Sequence, residues 1–118
     1  MTEVIYTTDA NTTAFTVSGH SNAPRINGAD LCCCSVSTLV FTLMKALSKE
    51  NLPGYHHSFS KGLCSVTFNS CADVPCKAHS IIDTIMNGFE LLRQTYPDYI
   101  KITINETPIK ERRNNHDQ

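Results

Sequence analysis

The alternation of apolar and polar positions divides the chain into five short stretches and two long ones. In the short stretches, apolar residues tend to occupy every second position among β-branched and aromatic residues, which predicts strands at residues 2–8, 13–18, 56–60, 63–69 and 99–104. In the long stretches, apolar residues recur every three or four positions, which predicts helices over residues 30–49 and from about 73 to about 96. The order is therefore strand, strand, helix, strand, strand, helix, strand.

These seven elements predict a single domain of the α+β class. A half-buried strand needs a second layer against its apolar face, and so does an amphipathic helix. Turn residues at 9–11 and 61–62 predict two hairpins, which favour a mainly antiparallel sheet with both helices packed on one face. The 118 residues, of which 41% are hydrophobic, suffice for one core. We expect the domain to cover residues 1–107 and residues 108–118 to form a flexible polar tail.

Capping and turn residues mark the ends of the two predicted helices. Asp30 is a candidate N-cap for the first helix, and Pro53-Gly54 ends it. Asp73 followed by Pro75 predicts the start of the second helix, because a carboxylate caps free N–H groups and proline is tolerated in the first turn. Pro97 then predicts its end.

The net charge of the chain argues against some classes of partner. A formal charge of -1 provides no basic field, so we expect no direct nucleic-acid binding and no attraction to an anionic membrane surface. The sequence does not begin with a charged leader before an apolar run, and it has no 18 consecutive apolar residues. We therefore expect a cytoplasmic protein that does not enter a membrane.

The six cysteines are expected to be free thiols, since no secretory signal is evident. The three adjacent ones, residues 32–34, would point about 100° apart on a helix and cannot bridge one another. Cys71, Cys76 and His79 match no common zinc spacing, and a second ligand pair is not evident, so we expect no metal site.

A histidine and the run of cysteines flank one polar loop. His20 ends the second predicted strand, residues 21–28 have the composition of a loop, and residues 32–34 open the first helix. With Asp30 as N-cap, Cys33 lies in the first turn, where unsatisfied N–H groups and the helix dipole favour a thiolate. His20 could exchange the thiol proton, and the same N–H groups could hold an oxyanion. That is the chemistry of a cysteine peptidase.

The residues alone leave other interpretations open. A cysteine on a helix is more often a small buried apolar residue, and His20 could be an ordinary strand-end residue. Asp30 could serve only as a cap, and the hydroxyl of Ser37 could bond back to the preceding turn. Spacing alone therefore does not decide whether His20 acts with a cysteine.

Three motifs together resemble the ribosomal-processing cysteine protease family, often called Prp. They are Gly19-His20, Gly28-Ala29-Asp30 and the run Cys32-Cys33-Cys34-Ser35-Val36-Ser37. The order of strands and helices over residues 1 to about 107 is also similar to that family's fold. The resemblance implies a cysteine protease domain over nearly the whole chain.

The resemblance also implies which residues carry the chemistry. His20 matches the family's catalytic histidine, and Cys33, three residues after Asp30, matches the nucleophile. Asp30 and Ser37 match polar positions near that pair. The sequence departs from the family at Ser21, where alanine is common, in a loop about one residue longer, and in the cysteines on both sides of the nucleophile.

Helix geometry separates the three cysteines. If Val36 and Val40 point inward, Cys32 lies near the same buried side, whereas Cys33 and Cys34 lie about 100° and 200° further round the helix. Cys33 is the candidate nucleophile. Cys34 is the fallback, because a shift of the cap by one residue would exchange the two.

The function that the resemblance implies is removal of a short N-terminal extension from the twenty-seventh large-subunit ribosomal protein during ribosome assembly. The precursor's N-terminal peptide would be the substrate, the enzyme would be a homodimer, and no cofactor would be needed. We expect residues 21–27 to close over the bound peptide, which could also pair with a free sheet edge. Two other functions stay open: a non-catalytic, ribosome-associated protein-binding module of the same fold, and a thiol redox or metal sensor that leaves His20 idle.

Overall fold

The computed structural model describes residues 1–70 and 77–106 and contains the seven elements in the predicted order. The five strands are β1 Thr2–Thr8, β2 Thr12–Ser18, β3 His56–Ser60, β4 Leu63–Asn69 and β5 Ile100–Glu106. The two helices are α1 Leu31–Ser48 and α2 Lys77–Thr95. The predicted helix start at Asp73 and Pro75, the cysteines Cys71 and Cys76, and the tail 108–118 lie outside the described residues.

The five strands form one sheet in the order β3-β4-β2-β1-β5. Neighbouring strands are antiparallel except β1 and β5, which run parallel. Because β5 follows α2, the chain has the long crossover connection that a parallel pair requires. The predicted α+β fold is confirmed, and the sheet is mixed but mainly antiparallel, with β3 and β5 as its edges.

Both helices pack on the same face of the sheet and share one core. Alternate residues of the central strands point at them, including Val4 of β1 and Phe15 of β2. The ring of Phe15 packs against Phe89 of α2 with 5.8 Å between the ring centroids. The two helices also touch each other, and at Gly88 they come so close that a Cβ would lie 2.7 Å from Cδ2 of Leu39. The sheet and the helices therefore bury a single apolar layer.

The start of α1 follows directly from its sequence. Asp30 is the N-cap, as predicted: its backbone is extended (φ -87°, ψ 95°) and its side chain accepts a hydrogen bond from the Cys33 amide. The buried residues of the helix recur every three or four positions and form one apolar stripe: Cys32, Val36, Val40, Leu43 and Leu47. Because the helix begins directly after Asp30, Cys33 lies in its first turn.

By length and composition α1 is able to cross a membrane, and within the described residues it is the one helix of that kind. In this fold its apolar stripe lies in the core cluster formed with the sheet and α2. The apolar stripe of α1 is thus covered by the sheet and α2.

Candidate active site

A cavity of about 380 Å³ opens where the end of β2, the first turns of α1 and the β3–β4 turn come together. Its lining residues come from four segments of the chain: Thr2; Val17, Gly19 and His20; Cys33, Val36, Ser37 and Val40; and residues 59–64. Pockets of roughly 300–1,000 Å³ are typical of small-ligand and peptide side-chain sites. Three of the four predicted site residues, His20, Cys33 and Ser37, lie on this wall; Asp30 is not among the lining residues.

His20 is held at the end of β2 by the backbone of Gly19. The Gly19 amide donates to the carbonyl of Gly62 at 2.9 Å, and the Gly19 carbonyl accepts from the hydroxyl of Thr2 at 3.3 Å. Gly19 has φ +84°, and a Cβ at this position would overlap the carbonyl oxygen of Met1, so glycine is required. The ring of His20 lies beside Gly62, where an added Cβ would be 3.6 Å from Nε2. The β3–β4 turn thus borders the histidine directly.

Asp30 lies next to Cys33 and fixes its backbone. Its Oδ1 accepts from the Cys33 amide at 2.9 Å, and its Oδ2 accepts from the Ser21 hydroxyl at 2.8 Å. Burial pushes the pKa of Asp30 upward, but the hydrogen bonds from Cys33, Ser21 and Ala23 and the charge of Arg25 outweigh burial, so the pKa lies below its ordinary value. Asp30 is therefore an ionised carboxylate at neutral pH.

The three adjacent cysteines have different surroundings. Cys32 is fully buried in the core, as its predicted orientation requires. Cys33 is half-buried and lines the cavity. Cys34 is exposed and is not among the described residues that line the cavity. Of the three thiols, Cys33 is the one that shares the cavity with His20.

The pKa of Cys33 is raised, which corrects the prediction that the first helical turn favours its thiolate. Burial is the largest cause, the negative charge of Asp30 and the neighbouring thiol of Cys34 add to it, and the charge of Arg25 opposes it. The amide that would favour the anion is already bonded to Asp30. In the free protein Cys33 is therefore a protonated thiol at neutral pH and needs a base in order to attack.

The N–H groups of this turn are only partly free to hold an oxyanion. The Cys33 amide bonds to the side chain of Asp30 at 2.9 Å, and the Cys34 amide bonds to the Asp30 carbonyl at 3.1 Å. These two donors are occupied, which leaves the amides of Leu31 and Cys32 in the same turn, for which the described residues show no hydrogen-bond acceptor.

Ser37 lies on the cavity wall one turn after Cys33. Its neighbours Ser35 and Thr38 bond back to carbonyls four residues earlier in the helix. Ser37 makes no such bond to any residue that the structure describes, so its exposed hydroxyl is available to a ligand in the cavity. The alternative that Ser37 only bonds to the preceding turn does not hold here.

The sequence does not predict that the tip of the β3–β4 hairpin belongs to the cavity. Phe59, Lys61 and Leu63 line it. The turn at residues 61–62 is predicted, but its approach to His20 depends on β4 pairing with β2, with Leu63 opposite Ser18. Pairing between distant segments leaves no local signal in the sequence.

Metal ligation finds no support within residues 1–70 and 77–106, where no group of three or more His, Cys, Asp or Glu side chains is placed to hold an ion. The spacing of Cys71, Cys76 and His79 remains untested because the two cysteines lie outside those residues.

Comparison with known proteins identifies the family. The family model described as cysteine protease Prp matches residues 1–101 of the chain. The chain belongs to the cysteine protease Prp family. The resemblance noted on Gly19-His20, Gly28-Ala29-Asp30 and the cysteine run is thereby confirmed, and so is the assignment to the cysteine proteases. A search of the curated proteins found no match.

Solved structures share the fold of this Prp-family chain. The ribosomal processing protease Prp of S. aureus, in complex with a covalently linked product peptide, matches with a TM-score of 0.73 and 16% identity over 89% of this chain and 100% of that one. The same protease in complex with a substrate peptide gives 0.67 and 16% over the same shares, 89% and 100%. A protein of Streptococcus mutans gives 0.67 and 18% over 91% of this chain and 96% of its own. At these identities the likeness shows the fold.

Proposed function

We propose that this Prp-family protein hydrolyses a peptide bond in the N-terminal extension of the twenty-seventh large-subunit ribosomal protein during ribosome assembly, with Cys33 as nucleophile and His20 as its base. The observation that carries the proposal is that His20 and Cys33, which come from separate segments, line one cavity. Family membership supports the reaction class. The S. aureus relative, a ribosomal processing protease in complex with a substrate peptide, supports the substrate class.

The mechanism begins from a protonated thiol. His20 takes the proton from Sγ of Cys33 as the sulfur attacks the carbonyl carbon, and it returns that proton to the leaving amine as the C–N bond breaks. A thioester remains on Cys33. A water molecule then attacks the thioester while His20 accepts its proton. The C–S bond breaks, the carboxylic product leaves, and His20 returns the proton to the sulfur, which restores the Cys33 thiol. Because burial and Asp30 disfavour the thiolate, the base is required in the first step.

The polar residues beside the pair have supporting roles in this proposal. Asp30 holds the backbone of Cys33 through its cap hydrogen bond. Ser37 offers a hydroxyl to the bound peptide from the cavity wall. No cofactor takes part. A homodimer and a cytoplasmic location complete the proposal and rest on the family resemblance and on the sequence, respectively.

Residues 21–27 are proposed to close over the bound peptide. The loop carries an exposed apolar side chain, Ile26, with 55% of its surface accessible. Ile26 is bridged to Ala29 across a tight turn that ends the loop before Asp30. Shortening the loop between Asn22 and Asn27 should raise KM for a peptide, and unchanged affinity and turnover would refute the closure.

The decisive experiment is cleavage of a panel of ribosomal-protein precursors, followed by mass spectrometry. The unaltered protein and its Cys34→Ala variant should cleave the twenty-seventh large-subunit precursor, whereas Cys33→Ala should not. Cleavage that survives in Cys33→Ala but is lost in Cys34→Ala would move the nucleophile by one position. Failure of the unaltered protein to cleave any precursor would refute the proposed substrate and favour the binding module.

Alkylation at neutral pH separates the peptidase from the two other functions. Selective labelling of Cys33 that falls in His20→Ala supports the peptidase, because only that mechanism connects the two residues. Slow and uniform labelling of all thiols would favour the binding module. Labelling that is fast but independent of His20 would favour the redox sensor.

A further inference from the structure

Ser21, the residue after His20, is a buried polar side chain at the base of the active-site loop. Only 1% of its surface is exposed, and its hydroxyl donates to Oδ2 of Asp30 at 2.8 Å. A serine hydroxyl has a single proton to donate, and in Ser21 that proton goes to Asp30. Ser21 therefore ties the segment after β2 to the first turn of α1.

Asp30 continues this path to the candidate nucleophile. One carboxylate oxygen accepts from Ser21 and the other accepts from the amide of Cys33 at 2.9 Å. Hydrogen bonds to an ionised carboxylate are roughly twice as strong as those between neutral groups. His20 is thus connected to Cys33 through one peptide bond and two charge-assisted hydrogen bonds.

The tip of the loop is organised separately from this base. Ile26 and Ala29 exchange backbone hydrogen bonds in both directions, at 2.8 and 3.0 Å. These bonds reach neither His20 nor Cys33. The Ser21–Asp30 hydrogen bond therefore holds the two ends of the loop together independently of the bonds at the tip.

We propose that Ser21 is a positioning residue for the His20–Cys33 pair, which keeps the histidine in place when the loop tip closes over a peptide. This inference rests on the proposed function. A misplacement of reacting groups by about 1 Å reduces a rate by on the order of 10²-fold. Removal of the Ser21 hydroxyl should therefore weaken the influence of His20 on Cys33 more than it weakens peptide binding.

The test is a double-mutant cycle on the alkylation of Cys33, which requires no substrate. The rate at which iodoacetamide alkylates Cys33 at pH 7 is measured by peptide mapping in four proteins. They are the unaltered protein, the His20→Ala variant, the Ser21→Ala variant and the variant that carries both changes. In the protein with Ser21, we expect His20→Ala to slow alkylation of Cys33 by about 10-fold. In the Ser21→Ala variant, we expect His20→Ala to slow it by less than about two-fold, because the loss of Ser21 has already removed the influence of His20 on Cys33. Ser21→Thr, which keeps the hydroxyl, should restore the larger effect.

The outcomes separate this inference from the proposed function. An equal effect of His20→Ala in both backgrounds overturns the role of Ser21 and leaves the pair intact. No effect in either background overturns the pair, and the role of Ser21 with it. Circular dichroism checks that each variant is folded, and Ser21→Gly replaces Ser21→Ala if the latter is not.

Steady-state kinetics give a second measurement. On a cleaved peptide, Ser21→Ala should lower kcat about 10-fold and change KM by less than about two-fold. Ser70→Ala is the matched control and should change neither, because Ser70 bonds to the Thr13 hydroxyl at 2.9 Å and the Asp9 carbonyl at 2.7 Å at the opposite end of the sheet. A rise in KM with unchanged kcat would mean that Ser21 holds the peptide, and would overturn the positioning role.

Discussion

At the scale of single residues, Asp30 has two opposite effects on Cys33. As the N-cap it accepts a hydrogen bond from the Cys33 amide and determines where α1 begins. Such a cap contributes about 1 kcal/mol to stability. As a negative charge it helps to raise the pKa of Cys33. A protonated thiol is less easily oxidised than a thiolate. The charge of Asp30 therefore favours the form of Cys33 that is less easily oxidised.

Replacing Asp30 by asparagine separates these two effects. Asparagine caps a helix about as well as aspartate, so Asp30→Asn should stay folded. Because the carboxylate charge raises the pKa of Cys33, its removal should lower that pKa, and the pH midpoint of Cys33 alkylation should move to a lower value. Asp98→Asn, at an exposed site after α2, is the control. A midpoint that stays the same or moves to higher pH would contradict this account.

Gly19 is expected to be intolerant of a side chain for two reasons. At φ +84° a residue other than glycine destabilises the folded protein by about 1–2 kcal/mol. A Cβ at this position would also overlap the Met1 carbonyl oxygen. Gly28 has φ +82° but nothing within 4 Å of an added Cβ. Urea unfolding should therefore show a larger loss of stability for Gly19→Ala than for Gly28→Ala. Equal losses would show that the contact with Met1 has no energetic weight.

At the scale of elements, capping and turn residues predict where helices begin and where hairpins turn, because interactions between neighbouring residues determine both. Asp30 identifies the start of α1, and the turn at residues 61–62 identifies the β3–β4 hairpin. The parallel pairing of β5 with β1 and the approach of the hairpin to His20 are not predictable in this way. Both depend on how distant strands pair, which the alternation of apolar residues leaves open. The sequence therefore predicts the elements and two candidate residues that line one cavity, His20 and Cys33, but not the hairpin tip that lines it with them.

The contribution of α1 to stability can be measured by shortening one buried side chain. Leu43 is 1% exposed at the centre of the apolar stripe, so Leu43→Ala should cost about 2–5 kcal/mol in the free energy of unfolding. Leu91 on α2 is 64% exposed, and Leu91→Ala should change stability by less than about 0.5 kcal/mol. Urea titrations followed by circular dichroism compare the two. Similar losses would mean that the stripe is not the stabilising face.

At the scale of the whole molecule, the described lining of the cavity comes from only one part of the chain. Those residues all lie between Thr2 and Cys64, whereas α2 and β5 contribute to the core. The pKa of Cys33 depends on this packing, because burial by the assembled fold is its largest cause. That is why the sequence predicts the place of Cys33 in the first helical turn but not the direction in which its pKa shifts.

One shared core predicts one cooperative unfolding transition. Cys32 of α1 and Cys64 of β4 are both buried, at 0% and 4% exposure. Brief pulses of an alkylating reagent across a urea series should label both at the same urea concentration, which should also be the midpoint seen by circular dichroism. If Cys32 became reactive at a lower concentration than Cys64, α1 would open before the sheet.

Because α2 contributes to the core but not to the described lining of the cavity, a fragment without α2 keeps the cavity residues but loses part of the core. A fragment ending at Ser70 keeps every described residue that lines the cavity, yet it lacks Ile82, Phe89 and Ile100, which the core buries at 0%, 0% and 2% exposure. Without them the inner side of β1 and β2 would face water. The residues that line the cavity thus come from one piece of the chain, and part of the core that holds them in place comes from the other. We therefore expect the first piece to fold around the cavity only when the second piece is supplied with it.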